Sequence, residues 1–103
     1  MSHDATRIAD IDKVIHERAR LGIMSLLAAT GDISFVELKQ HLAMTDGNLS
    51  VHLRILEEAG YVSIDKSFVD RKPRTDVKIT RKGRTAFKSY LDALEQIIQR
   101  AKG

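Results

Sequence analysis

The sequence contains no cysteine and no tryptophan, and it has a single proline and only five aromatic residues. The lack of cysteine excludes disulfides, thiolate metal sites and thiol-based redox sensing. The N-terminus lacks the apolar core of a signal peptide, and no apolar run approaches the ~20 residues that cross a bilayer. These absences predict a cytoplasmic protein with no membrane contact. The near absence of proline leaves room for long helices.

Length and charge point to one domain with a polyanionic partner. A chain of 103 residues, 43% of them hydrophobic, suits a single domain over residues 1–103. The net charge is only +3, but residues 61–84 carry eight lysines and arginines against three acidic residues. A concentrated basic segment favours a nucleic-acid partner. A solvated basic loop is the alternative.

Two helical regions are predicted in the first 43 residues. Apolar residues at helical spacing indicate helix over residues 8–29, with a break near His16 that would divide it in two. Ser34 and Glu37 match a capping box, which predicts a short helix that ends near Ala43. Its apolar members are Val36, Leu38 and Leu42.

Residues 46–59 form the clearest amphipathic helix of the sequence. Thr45 is its predicted N-cap, and Gly60 follows where a left-handed residue ends a helix. Its predicted buried face consists of Leu49, Leu53 and Leu56. A short helix, a tight turn and a second amphipathic helix make a helix-turn-helix, whose second helix enters the DNA major groove with its N-terminal half.

The predicted recognition surface is the outer side of this helix together with its cap. Its residues are Thr45, Gly47, Asn48, Ser50, Val51, His52 and Arg54. Asn48, Ser50 and Arg54 can hydrogen-bond to bases or phosphates, and Val51 can touch a thymine methyl group. Gly47 would allow close approach to the DNA backbone. His52 lies on a flank, where packing inside the domain is the alternative to a phosphate contact.

The pattern changes to strands after residue 60. β-Branched and aromatic residues predict a β-hairpin over residues 61–79. Its expected tip is the basic run 71–74, in which Pro73 would add stiffness. Arg71, Lys72 and Arg74 are predicted to bind phosphates or the minor groove.

A last helix over residues 81–102 is predicted to mediate dimerisation. Its apolar seam consists of Phe87, Leu91, Leu94, Ile98 and Ala101, with Tyr90 and Ile97 on the flanks. The alternating spacing of four and three is the heptad pattern of a helix pair. A homodimer would place two recognition helices on half-sites about one DNA turn apart. In the alternative, the seam packs on the first helix of its own chain.

The run from Thr45 to Val62 resembles the recognition-helix signature of MarR-like and ArsR-like winged-helix regulators. The run from Lys66 to Arg84 resembles their wing and the start of the following helix. The resemblance covers residues 14–95 and is closest to a compact MarR-like group that has one winged-helix domain and a C-terminal dimerisation helix. It implies a mainly α fold with a small β-hairpin (α+β), a winged helix-turn-helix with a long C-terminal helix. It also implies a homodimeric repressor that binds specific double-stranded DNA.

Other functions rank lower on this sequence. No phosphate-binding glycine loop or nucleophile motif is present, so we expect no enzyme activity and no cofactor. The four histidines form no short metal-ligand pair, and a metal role would need His16 and Glu17, or His3 and Asp4, to meet across a dimer. An effector of unknown identity could bind between the dimer helices and the winged domain. The main rival function is a winged helix that binds another protein, and RNA binding ranks below it because few aromatics are available for base stacking.

Overall fold

The computed structural model describes residues 7–103, which form four α-helices and a small antiparallel sheet. The elements in chain order are a 3-10 turn (Ile8–Asp10), α1 (Arg18–Thr30), β1 (Asp32–Ser34), α2 (Phe35–Leu42), α3 (Asp46–Glu58), β2 (Val62–Val69), β3 (Lys72–Ile79) and α4 (Arg81–Lys102). This order confirms the predicted winged helix-turn-helix with a long C-terminal helix. None of the described helices is both long enough and apolar enough to cross a membrane.

The helix expected from residue 8 begins only at Arg18. The Asp12 carboxylate accepts hydrogen bonds from the backbone N–H groups of Val14 and Ile15, at 2.8 and 3.2 Å. Such local bonding offers the backbone an alternative to the helix, and the chain forms turns up to residue 17. Glu17 then caps α1 by accepting from the N–H of Arg20 at 2.8 Å.

The two helices of the helix-turn-helix begin at their predicted caps. The Ser34 hydroxyl accepts from the Glu37 N–H at 3.1 Å and donates to the Glu37 carboxylate at 2.9 Å. Thr45 accepts from the Asn48 N–H at 3.2 Å. Val36 lies in α2 as predicted, but it is 57% exposed and does not join the core. Phe35, one position earlier, packs against the core instead.

A third strand was not expected from the sequence. β1 pairs antiparallel with β3, with Ile33 opposite Val77, so the strand order is β1-β3-β2 and β3 is central. The strand has three residues, of which only Ile33 is apolar. So short a segment shows no alternation that could distinguish it from a turn.

The hairpin turn lies earlier than residues 71–74. Asp70 and Arg71 both have positive φ angles, 51° and 66°, as in the two-residue turns whose twist matches that of the flanking strands. Lys72 to Arg74 are therefore part of β3, and Pro73 lies opposite Phe68. The tip is sharper than predicted, and Pro73 stiffens a strand rather than a loop.

The core lies between the helices and one face of the sheet, and α4 contributes to it with Phe87, Tyr90 and the partly buried Leu94. Its fully buried members with the largest side chains include Tyr90, Ile15, Ile23, Met24, Leu27, Leu38, Leu49, Leu53, Leu56 and Val77. Gly83 lets α4 pack closely, because a Cβ at this position would lie 2.2 Å from the carbonyl oxygen of Tyr61. Phe87 and Tyr90 are buried within the chain itself, whereas Leu91 and Ile98 are 45% and 48% exposed.

Candidate nucleic-acid interface

The outer face of α3 presents a row of exposed, mostly polar side chains. Leu49, Leu53 and Leu56 are buried and anchor the helix to the core. The exposed residues on the other side are Gly47, Asn48, Ser50, Val51 and Arg54, as the periodicity predicts. Hydrogen-bonding groups and one apolar side chain thus share the exposed face of a helix whose opposite face is packed into the core. This is the arrangement that base-edge contacts in a major groove require.

A groove of about 720 Å³ separates the outer face of α3 from the hairpin. Arg54 and Ser50 line it from the helix, and Lys66 and Thr75 line it from the sheet, where they are register partners. For Lys66, the sequence left open a position near the phosphates or a solvated one. The alternation of β2 carries the signal for it, because Lys66 shares a strand side with Ile64, which packs against the core.

Acidic Asp46 at the start of α3 is charge-compensated by α2. The Lys39 Nζ lies 2.8 Å from an Asp46 carboxylate oxygen. Because Asp46 also lines the groove, this pairing reduces the repulsion that the carboxylate would exert on phosphates. This role of Lys39 could not be predicted from the sequence, since Lys39 belongs to α2 and Asp46 to α3.

His52 is bonded within its own domain. Its Nδ1 lies 3.0 Å from a guanidinium nitrogen of Arg20 and 3.7 Å from the Glu17 carboxylate. Since guanidinium only donates, Nδ1 accepts and the proton of neutral His52 lies on Nε2. The hydrogen bond from the Arg20 N–H, helped by the charge of the Arg20 guanidinium, lowers the pKa of Glu17 against the opposing effect of burial. This geometry favours the packing interpretation of His52 over the phosphate contact.

The three basic residues predicted for the wing have different surroundings. Arg71 occupies the turn and Lys72 begins β3, and within residues 7–103 neither forms an ion pair. The Arg74 Nε donates to both carboxylate oxygens of Asp76, at 3.0 and 3.2 Å. Asp65 lies directly opposite Asp76, so Arg74 also offsets a pair of like charges across the strands. The guanidinium of Arg74 is therefore already engaged in an ion pair within the sheet.

The predicted dimer seam divides at Tyr90. The Tyr90 hydroxyl lies 2.8 Å from Nδ1 of His16, and its ring stacks on that of Phe87 with centroids 6.4 Å apart. Burial raises the pKa of Tyr90 above its ordinary value. Both residues belong to the core of their own chain, as the alternative interpretation of the seam predicts for them. The remaining seam residues lie beyond them on α4: Leu91, Leu94, Ile97, Ile98 and Ala101.

Among residues 7–103, no three histidine, aspartate or glutamate side chains come together as a metal site would require. His16 is instead bonded to Tyr90, and Glu17 caps α1. His3 and Asp4 lie outside the described residues.

Comparisons with known proteins agree with this architecture. The sequence matches the winged helix DNA-binding domain family over residues 19–98. It is 41% identical over 85 residues to an uncharacterized protein of Methanocaldococcus jannaschii, covering 82% of this chain and 92% of that protein. The structure of a transcriptional regulator homologue from Pyrococcus horikoshii OT3 superposes with a TM-score of 0.83 at 36% identity, covering 87% of this chain and 89% of that one. A MarR-like transcriptional regulator from Thermotoga maritima, 25% identical, superposes with a TM-score of 0.61 and covers 82% of this chain and 60% of that one. The expected likeness to winged-helix transcriptional regulators is confirmed.

Proposed function

The chain belongs to the winged helix DNA-binding domain family, and from this premise we propose that it represses transcription by binding specific duplex DNA as a homodimer. The observation that carries the proposal is the exposed outer face of α3, from which Ser50 and Arg54 line a groove bordered on its other side by the hairpin. Base-edge contacts from the helix would supply sequence preference. Phosphate contacts from the hairpin would supply most of the affinity.

The roles on α3 follow from exposure. Asn48, Ser50 and Arg54 present hydrogen-bonding groups to bases, and Val51 presents an apolar surface to a thymine methyl. Open space around Gly47 lets the DNA backbone approach the start of the helix. Thr45 serves as the N-cap, which holds these residues in register.

The hairpin supplies charge. Arg71 and Lys72 are the principal phosphate or minor-groove contacts in this proposal, and Lys66 joins them from inside the groove. Arg74 contributes less because Asp76 holds its guanidinium. The excess of positive charge in residues 61–84 supports a polyanionic partner over a neutral protein surface.

Dimerisation is supported by the part of α4 from Leu91 onward. Its apolar residues Leu91, Ile97 and Ile98 are exposed along one helix that extends past the core. A second copy of the chain would bury them by packing its own α4 alongside, at heptad spacing. Two recognition helices would then meet a near-palindromic site.

Selection from a random pool of duplexes, followed by titration of the selected duplex at several salt concentrations, tests the proposal. We expect an enriched near-palindromic sequence and an affinity that falls steeply with salt. A reporter with this sequence placed over its promoter should lose expression when the protein is present. Absence of binding at low salt would contradict DNA recognition and favour the protein-binding winged helix.

A further inference from the structure

The hairpin carries two apolar residues beyond the end of the core. Phe68 is 75% exposed and lies opposite Pro73 in the strand register. Both lie on the same side of the two-stranded ribbon formed by β2 and β3 as the pairs Ile64–Val77 and Lys66–Thr75. The first of these pairs packs with the core and the second lines the groove beside α3. Phe68 and Pro73 are thus the next pair along the groove-lining side of the ribbon.

An exposed phenyl ring of this kind has no role in the fold. A ring in water forgoes the free energy that burial of its area would contribute, and nothing in the hairpin register requires phenylalanine at this position. Arg71 follows in the turn, and Lys66 lies on the same side of the hairpin as the apolar pair, so that pair has basic neighbours. A surface of this composition suits a partner that combines negative charge with an apolar area.

We propose that Phe68 and Pro73 form an apolar wedge that enters the DNA minor groove and packs against deoxyribose and base edges. This inference rests on the proposed DNA binding. The minor groove has phosphates along its rims and apolar sugar surfaces on its walls, which match the basic turn and the apolar pair. Phenylalanine and proline are among the residues that proteins insert there, and flexible pyrimidine–purine steps lower the cost of the deformation.

The location of the pair supports DNA as its occupant over a second copy of the chain. The apolar residues of α4 that suit dimerisation lie on another element, while Phe68 and Pro73 are the next register pair on the side where Lys66 and Thr75 line the proposed DNA-binding groove. A wedge at the end of this groove extends recognition beyond the bases that α3 reaches.

The test compares Phe68→Ala with Val69→Ala on the selected duplex. Val69 is the neighbouring residue, is itself 50% exposed, and lies on the opposite side of the ribbon. We expect Phe68→Ala to weaken binding about tenfold, the change that partial burial of a phenyl ring supports. The salt dependence should be unchanged, because an apolar contact releases no counterions. Val69→Ala should bind as the wild type does.

A second measurement localises the contact. Hydroxyl-radical cleavage attacks deoxyribose through the minor groove, so sugars protected by the wild type next to the site should become exposed with Phe68→Ala and stay protected with Val69→Ala. Wild-type affinity in Phe68→Ala, or a salt slope reduced by about one, would overturn the wedge while leaving DNA binding intact. Altered self-association in sedimentation with unchanged DNA affinity would overturn it in favour of an interface between copies. Failure of the wild type to bind any duplex would overturn the proposed function itself.

Discussion

The guanidinium of Arg20 on α1 lies 3.0 Å from Nδ1 of His52 on α3. This contact joins the recognition helix to the first helix, and Arg20 is itself held by the Val14 carbonyl, which accepts from its Nε at 2.5 Å. His52 therefore helps to orient α3 through its contact with α1. The arrangement separates two possible roles of His52 in DNA binding, an indirect one through helix orientation and a direct one through phosphate.

We expect His52→Ala to lower DNA affinity severalfold without changing the salt slope. The physical reason is that α3 loses an orienting contact while no phosphate contact disappears. Titration of the selected duplex at several salt concentrations measures both quantities. Arg20→Gln, which removes the other partner of the bond, should behave alike. A slope reduced by about one in His52→Ala alone would instead show a direct phosphate contact.

Arg71→Ala is expected to weaken DNA binding more than Arg74→Ala does. Arg71 lies in the exposed turn, whereas the Arg74 guanidinium is held by both oxygens of Asp76. The loss of Arg71 should weaken binding to all duplexes and lower the salt slope by about one. Salt titrations of the two variants make the comparison.

Asp76→Asn supplies the control for this difference. It should release Arg74 toward DNA and so increase affinity on unrelated duplexes. Equal losses of affinity from Arg71→Ala and Arg74→Ala, with no effect of Asp76→Asn, would contradict this prediction. They would mean that the ion pair between Arg74 and Asp76 breaks on DNA binding without a measurable free-energy cost.

Local signals in the sequence were sufficient for α2, α3 and α4 but not for the start of α1, because caps and periodicity involve neighbours in the chain. The capping bonds of α2 and α3 each join residues three apart in the sequence, Ser34 with Glu37 and Thr45 with Asn48. β1 depends on a partner far along the chain, Val77, and three residues carry too little pattern to reveal it. The same limit applies to the predicted site. The exposed face of α3 follows from its leucines, but the bonds of Arg20 to His52 and of Lys39 to Asp46 join separate helices.

Gly47 and Gly83 should respond in opposite ways to alanine. Nothing lies within 4 Å of a Cβ built at Gly47, so Gly47→Ala should stabilise the fold by about 0.4–1 kcal/mol through the unfolded chain. It should nonetheless weaken DNA binding, because the methyl group occupies space needed by the phosphate backbone. Gly83→Ala should destabilise by roughly 1–3 kcal/mol, since its Cβ would collide with the Tyr61 carbonyl.

Urea unfolding and DNA titration of both glycine variants distinguish the two roles. A Gly47→Ala protein that is more stable and binds DNA as tightly as the wild type would remove Gly47 from the interface. Gly83→Ala serves as the reference for a glycine required by packing alone.

Ile98→Glu is expected to convert the proposed dimer into a monomer with an intact fold. Ile98 is exposed beyond the part of α4 that packs on its own domain, so a charge there costs nothing within one chain but would be buried between two. Sedimentation equilibrium measures the change, and circular dichroism confirms that the helices persist. The adjacent Gln99→Glu, also exposed, carries the same added charge and should stay dimeric. A dimer that survives Ile98→Glu would exclude this part of the seam.

Stability should fall at high pH because Tyr61 is partly buried and its hydroxyl donates to the Asp12 carboxylate at 2.5 Å. Burial, together with the bond to Asp12 and its negative charge, raises the pKa of Tyr61 to about 12 from an ordinary value of 10.0. The folded state thus keeps the proton over a range in which the unfolded chain releases it. The stabilisation is complete below pH 10 and is lost as the pH rises toward 12.

Urea unfolding across this pH range measures the effect. Tyr61→Phe should be less stable than the wild type below pH 10, because Asp12 loses a hydrogen-bond donor, and its stability should fall less steeply above pH 10. Asp12→Asn is the matched variant, since it keeps an acceptor near the hydroxyl but removes the charge that opposes ionisation. Its Tyr61 should release its proton at lower pH, visible as phenolate absorbance. An equal alkaline decline in wild type and Tyr61→Phe would assign the decline to other groups.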